Sequence, residues 1–148
     1  MEWRNDMTNY YAAGSLLVSA ENKDSIVLFK KKGSIWYSLP FGKKEEYETY
    51  SANTAIRETF EETGLIIDIS TSTPVFVADK GGGKICHVWK ATVNNKLTEA
   101  LCSLCDQSEG TWAWGPPHLL VLGGSFKEYN FNMLKHFGYD IPTPSWKE

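Results

Sequence analysis

The chain has 148 residues, of which 42% are hydrophobic, 22% are charged and 14% are aromatic. This length fits a single domain over residues 1–148, and the composition is that of a globular protein. The formal net charge of −3 disfavours binding to a nucleic-acid backbone, which depends on a basic surface, so we expect no DNA partner. No apolar run is long enough to span a bilayer, and no membrane association is expected.

The cysteines and the first residues bear on the cellular compartment. Cys86, Cys102 and Cys105 are an odd number of thiols. Residues 1–6 lack the apolar core of a signal peptide. Together these features predict reduced thiols in a cytoplasmic or nuclear protein.

The N-terminal half predicts strands followed by a loop and a helix. The predicted elements are strands over 12–19, 25–30 and 34–39, a polar loop over 41–48 and a helix over 51–63. Turn residues between the first two strands predict a hairpin. The helix ends where Gly64 can adopt a left-handed conformation, and Thr49 or Ser51 can cap its start.

The C-terminal half continues the alternation of strands and helices. The predicted elements are β-like segments over 65–69 and 74–78, a strand over 84–93, an irregular segment over 94–110, a strand over 111–114, a helical turn after residue 117 and a helix over 127–136. Gly81, Gly82 and Gly83 predict the turn before the long strand. Strands mixed with helices imply an α/β protein with its sheet covered by helices.

Three carboxylates stand out on the first predicted helix. Glu58, Glu61 and Glu62 follow an i, i+3, i+4 spacing, so they share one helix face. An apolar stripe on another face, expected to pack on the core, consists of Ala52, Ile56 and Phe60. Clustered carboxylates call for a cation, and hard oxygen ligands suit Mg²⁺ or Mn²⁺. The alternative is a solvated acidic helix face.

The segment 42–65 resembles the signature of the Nudix hydrolase family. That signature is a glycine, five residues, a glutamate, seven residues and then Arg-Glu-aliphatic-any-Glu-Glu-any-Gly-aliphatic. The residues that match its fixed positions are Gly42, Glu48, Arg57, Glu58, Glu61, Glu62, Gly64 and Leu65. So dense a pattern is far more specific than a single glycine-rich loop.

The chain departs from this signature at two places. Eight residues separate Glu48 from Arg57, one more than in the family pattern. We place a one-residue insertion after Glu48, in the loop that enters the helix, where it costs little. A register counted from Arg57 would instead put the glycine and glutamate positions on Lys43 and Thr49, so the role of Glu48 is open at this point. Thr59 takes an aliphatic position, where its methyl group can still pack.

The resemblance implies a fold and an activity. The fold is an α/β/α sandwich, a mixed sheet flanked by helices with the motif as loop–helix–loop. The activity is metal-dependent hydrolysis, with Mg²⁺ or Mn²⁺, of a pyrophosphate bond in a nucleoside diphosphate linked to another moiety, and the partner is a small phosphorylated metabolite. The alternative is a catalytically silent Nudix-fold module that binds a nucleotide or a protein, although such members usually lose motif glutamates.

The resemblance also implies roles for the motif residues. Glu58 and Glu62 are the expected direct metal ligands, together with the backbone carbonyl near Gly42. Glu61 is expected to bind metal through water or to activate the attacking water, and Glu62 is counted among the catalytic residues as well. Arg57 is expected to orient these glutamates through charge-assisted hydrogen bonds.

Residues outside the helix complete the candidate site. Glu109, on a loop before a late strand, is the candidate general base by its position. Residues 30–44 carry five lysines and no acid, and Lys32, Lys43 and Lys44 are the candidate substrate-binding residues. This charge favours a phosphate-rich substrate of the dinucleoside polyphosphate or diphosphoinositol polyphosphate class. The alternative is a set of lysines that only solvate a sheet edge.

Overall fold

The computed structural model describes residues 5–104 and 110–148. Its strands are β1 (Ala12–Ser19), β2 (Ile26–Lys31), β3 (Tyr37–Ser38), β4 (Phe41–Lys43), β5 (Val75–Asp79), β6 (Ile85–Val93) and β7 (Gly110–Gly115). Its helices are α1 (Ser51–Thr63), α2 (Asn95–Leu104) and α3 (Lys127–His136), with short 3₁₀ helices at Asn5–Thr8, Pro117–Val121 and Ser145–Lys147. No helix in these ranges has both the length and the apolar character to cross a membrane.

The strands form one mixed sheet in the described part of the chain. The order is β3-β2-β1-β6-β5, with β4 paired to β1 and β7 paired to β2. β1 and β6 run parallel, from Ala12 opposite Cys86 to Ser19 opposite Val93, and the other pairs are antiparallel. All eight residues of β1 are buried, as expected for a central strand covered on both faces.

Helices cover both faces of this sheet. Leu16 packs with Met133 of α3 in the larger hydrophobic cluster. Ala13, whose side chain points to the opposite face of the same strand, packs with Ala52 and Ala55 of α1. Because successive side chains of a strand point to opposite faces, β1 separates two cores. The predicted α/β/α sandwich is confirmed.

The buried face of α1 differs from the predicted apolar stripe. Phe60 is 53% exposed and Ile56 is only half-buried. The buried positions of the helix are Ser51, Ala52, Thr54, Ala55, Thr59 and Thr63. Small and hydroxylated side chains are tolerated there because the sheet offers partners, such as Ser15, whose Oγ lies 2.6 Å from Oγ1 of Thr59. The stripe prediction was therefore wrong beyond Ala52.

The two ends of α1 gave opposite outcomes. Gly64 has φ 79° and donates its N–H to the Phe60 carbonyl at 2.8 Å, so the predicted left-handed C-cap is confirmed. The predicted N-cap is wrong, because Tyr50 occupies that position without a side-chain bond. The Ser51 hydroxyl instead accepts a hydrogen bond from Nε1 of Trp89 at 3.2 Å and lies 2.5 Å from Nδ1 of His87.

The polar loop predicted over 41–48 begins with a short strand. β4 pairs with β1, with Phe41 opposite Gly14. A Cβ atom at Gly14 would collide with the carbonyl oxygen of Pro40 and with Phe41, so this close approach requires a glycine. The pairing fixes the start of the motif on the central strand of the sheet.

Two other segments differ from expectation. Residues 95–104, predicted to be irregular, form α2, and the Asn94 side chain accepts a hydrogen bond from the N–H of Leu97 at 2.9 Å. That bond is an ordinary N-cap contact. Residues 65–69 form no strand, although Leu65 and Ile67 are buried.

Candidate active site

Arg57 is the centre of the site and uses all five of its N–H donors. Nε and Nη2 donate to the two carboxylate oxygens of Glu48, each at 3.0 Å. Nη1 donates to Glu58 at 2.9 Å and to Glu61 at 3.2 Å. The second Nη2 hydrogen goes to the Lys43 carbonyl at 2.9 Å. A guanidinium has no further donors, so Arg57 fixes the loop and two of the helix glutamates relative to each other.

Glu48 is the buried partner of Arg57. Its side chain is 2% exposed, and it accepts further hydrogen bonds from Oγ1 of Thr54 at 2.9 Å and from the N–H of Glu45 at 2.8 Å. Burial alone would raise the pKa of Glu48, but the bonds from Arg57, Glu45 and Thr54 outweigh it and hold this pKa below its ordinary value. Hydrogen bonding to Glu48 likewise raises the pKa of Arg57.

This contact answers the question of register left by the insertion. Glu48, and not Thr49, contacts Arg57, so the extra residue lies between Glu48 and Arg57. Gly42, and not Lys43, faces the carboxylate of Glu58, which a Cβ atom at position 42 would strike. The preferred alignment of the motif is therefore confirmed.

Glu58 and Glu62 lie where the motif loop returns to the helix. The Glu58 side chain is 15% exposed, and burial raises its pKa, although Arg57 opposes this shift. The N–H of Phe41 donates to Oε2 of Glu62 at 3.0 Å. Of the three glutamates that contact Arg57, Glu61 is the most exposed, with 54% of its side chain accessible to solvent.

Acidic side chains outnumber the arginine in this cluster. Four carboxylates, those of Glu48, Glu58, Glu61 and Glu62, accompany the single guanidinium of Arg57. Within residues 5–104 and 110–148, no three acidic, histidine or cysteine side chains gather in a group able to hold a metal ion. Glu58 and Glu62 nevertheless supply hard carboxylate oxygens, the type of ligand that divalent ions such as Mg²⁺ or Mn²⁺ prefer.

A cleft of about 290 Å³ adjoins the glutamates. Its lining residues are Phe29, Lys31, Ser38, Leu39, Phe41, Glu62, Val88, Phe126, Tyr129 and Asn130. Glu62 therefore belongs to both the motif and the cleft. No sequence signal marked the aromatic residues of the cleft as functional, because Phe126 and Tyr129 follow the helical spacing of ordinary core residues.

The candidate lysines occupy different places. Lys43 and Lys44 lie in the motif loop, with Nζ 5.6 Å from the ring centroid of Tyr11 and 4.9 Å from that of Tyr10, respectively. Lys32 is exposed and does not line the cleft, whereas its neighbour Lys31 does. Glu109, the candidate general base, lies outside the described residues.

These observations define a class of α/β proteins in which a loop–helix unit presents carboxylates to a substrate-sized cleft. The NUDIX domain model matches residues 9–137, and the chain belongs to the Nudix family. As a Nudix domain that retains the three helix glutamates, it is an enzyme of the pyrophosphohydrolase class.

Solved structures share this fold at low sequence identity. The Ap4A hydrolase of C. elegans, as a binary complex, is 18% identical with a TM-score of 0.62, over 85% of this chain and 94% of that one. A mutT/nudix family protein from Listeria innocua is 20% identical, with a TM-score of 0.59 over 87% and 94%. A NUDIX-family hydrolase from Clostridium perfringens is 17% identical, with a TM-score of 0.57 over 86% and 94%. No curated protein matches the chain.

Proposed function

We propose that this enzyme hydrolyses a pyrophosphate bond in a nucleoside diphosphate linked to another moiety, with Mg²⁺ or Mn²⁺ as cofactor. The observation that carries the proposal is the position of Glu62. Its carboxylate is held by the Phe41 amide within the motif and also forms part of the cleft wall. A substrate whose phosphates bind at the motif would thus have its remaining group in the adjoining cleft.

The lining of the cleft favours a nucleotide as that group. Among the described residues that line it, the aromatic side chains are Phe29, Phe41, Phe126 and Tyr129, and Lys31 is the one lysine. Aromatic faces suit a base, whereas an inositol polyphosphate needs many cations around the ring. We therefore prefer a dinucleoside polyphosphate to a diphosphoinositol polyphosphate. The Ap4A hydrolase fold likeness is consistent with this preference.

The reaction assigns distinct tasks to the residues. Glu58 and Glu62, with the carbonyl near Gly42, would hold the divalent ion, which when bound supplies positive charge to the phosphates. Arg57 positions Glu58 and Glu61 through its hydrogen bonds. A water molecule attacks phosphorus, its proton passes to a carboxylate, and the bridging P–O bond breaks to release the second phosphate group.

Two carboxylates are candidates for accepting this proton. Glu61 is exposed enough to contact the attacking water and accept its proton. Glu109 stays the candidate outside the motif. Either group would act as a general base, which contributes about 10²–10⁴-fold to a rate.

The test is a substrate panel with a matched pair of variants. Wild-type protein is assayed for product release from ADP-ribose, dinucleoside polyphosphates and diphosphoinositol polyphosphates with Mg²⁺ or Mn²⁺. Glu62→Gln is expected to lower kcat by at least about 10²-fold, while Glu128→Gln, an exposed site on α3, leaves it unchanged. A wild type that binds one compound but hydrolyses none would instead identify a silent binding module.

A further inference from the structure

The turn between β5 and β6 carries two lysines on a fixed frame. Residues 81–83 are glycines with φ of 145°, 65° and 79°, conformations that other residues rarely adopt. The Asp79 carboxylate accepts hydrogen bonds from the N–H of Gly81 at 2.7 Å and of Gly83 at 3.2 Å. The N–H of Lys80 donates to the carbonyl of Lys84 at 3.0 Å. Both lysine backbones are therefore held in place.

The side chains of these lysines reach the candidate active site. Nζ of Lys80 lies 3.6 Å from the ring centroid of Phe126. Phe126 lines the cleft and packs edge-on against Phe41, at a centroid distance of 5.4 Å. Phe41 is the residue whose amide holds Glu62. Lys80 is thus connected to the Glu62 carboxylate through the rings of Phe126 and Phe41.

Lys84 lies at a second aromatic ring, that of Tyr11, together with Lys43. Its Nζ lies 5.1 Å from the ring centroid of Tyr11, and Nζ of Lys43 lies 5.6 Å from the same centroid. The carbonyl of Lys43 accepts a hydrogen bond from Arg57. Two ammonium groups therefore share the Tyr11 ring, and the backbone of one of these lysines is hydrogen-bonded to Arg57.

Within the described part of the chain, none of these three lysines forms an ion pair with a carboxylate. All three side chains are exposed. Asp79, next to Lys80 in the sequence, accepts two backbone hydrogen bonds in the turn rather than an ion pair from Lys80 or Lys84. A cation–π contact at an exposed site is weak, about 0.5–1 kcal/mol, so it does not account for gathering like charges.

The geometry points to a lysine rim, formed by Lys43, Lys80 and Lys84, that binds the phosphates of the substrate lying outside the scissile pair. This inference rests on the proposed function and narrows its substrate to an extended phosphate chain. Three separate cations spread over Tyr11 and Phe126 suit a linear chain of phosphates better than one compact diphosphate. Lys80 and Lys84 are then residues that determine specificity for chain length.

The experiment compares substrates that differ in phosphate number. KM and kcat are measured for a dinucleoside tetraphosphate and for ADP-ribose with wild type and with the double variant Lys80→Gln/Lys84→Gln. The tetraphosphate KM should rise about tenfold, from two lost exposed ion pairs, and the ADP-ribose KM by less than about twofold. Lys80→Arg/Lys84→Arg should restore the wild-type value. The control is Lys135→Gln, an exposed lysine 5.5 Å from the Phe131 ring.

A binding measurement separates this inference from the proposed function. Inorganic tripolyphosphate is titrated into the same proteins by calorimetry without divalent metal. Weaker binding by the glutamine double variant, restored by the arginine variant, supports the rim even if no dinucleotide is hydrolysed. The rim would be overturned if the glutamine double variant changed the KM of both substrates equally. It would also be overturned if this variant turned over the substrates with unchanged KM and bound tripolyphosphate as wild type does. Either result would leave the proposed activity intact.

Discussion

Replacing Glu48 by glutamine tests whether this buried residue organises the site. The carboxylate accepts four hydrogen bonds: Oε1 from Arg57, Thr54 and the Glu45 amide, and Oε2 from Nε of Arg57. A glutamine has one acceptor oxygen and an NH₂ group that only donates. Whichever way the amide is turned, that NH₂ group faces a donor of Arg57.

The expected loss of stability follows from the burial of this pair. Removing one partner of a buried ion pair costs about 3–5 kcal/mol. Arg57 retains 17% exposure and glutamine preserves the volume and one acceptor, so we expect about 2–3 kcal/mol. For a domain of this length, such a change lowers Tm by about 5–10 °C.

The measurement is thermal unfolding followed by circular dichroism, with activity measured in parallel. Because Arg57 positions Glu58 and Glu61, activity should fall by about 10–100-fold, as for other residues that orient metal ligands. Glu46→Gln is the matched control, since Glu46 is exposed and the ion pairs of the described residues do not include it. Equal Tm values for the two variants would refute the reasoning.

The pH dependence gives a second readout of the same pair. The pKa of Glu48 is lower in the folded state than its ordinary value. Its contribution to stability is therefore complete above the ordinary glutamate pKa and is lost as the pH falls through the lowered value. The difference in unfolding free energy between wild type and Glu48→Gln should shrink on acidification through that window, whereas a constant difference would indicate a packing effect.

Local sequence patterns were sufficient for most elements of the fold. The bounds predicted for β1, α1 and α3 agree with the structure, because continuous apolar residues and helical spacing are encoded along the chain itself. The C-cap at Gly64 was predictable for the same reason, since it depends on one residue's backbone freedom. Asn94, which caps α2, was an available signal that the prediction of an irregular segment overlooked.

Features that depend on distant partners could not be predicted in this way. Thr59 on α1 is fully buried, where its hydroxyl shares a hydrogen bond with that of Ser15 on β1, and the periodicity of large apolar residues cannot detect such a pair. The short strand β4 forms because Gly14 leaves room for it. The cleft is lined by residues from six different strands and helices, so no contiguous sequence motif marks its aromatic residues.

Two further variants probe the close contacts around α1. Gly42→Ala should abolish most activity with little loss of fold, because the added Cβ strikes the Glu58 carboxylate; a normal rate in the substrate panel would contradict this contact. Thr59→Val should lower the unfolding free energy by about 1–3 kcal/mol, since it leaves the buried Ser15 hydroxyl without this partner. Adding Ser15→Ala removes that unpaired group, so the double variant should lose less than the sum of the single losses in denaturant unfolding. Strict additivity would mean that the hydroxyl pair contributes nothing.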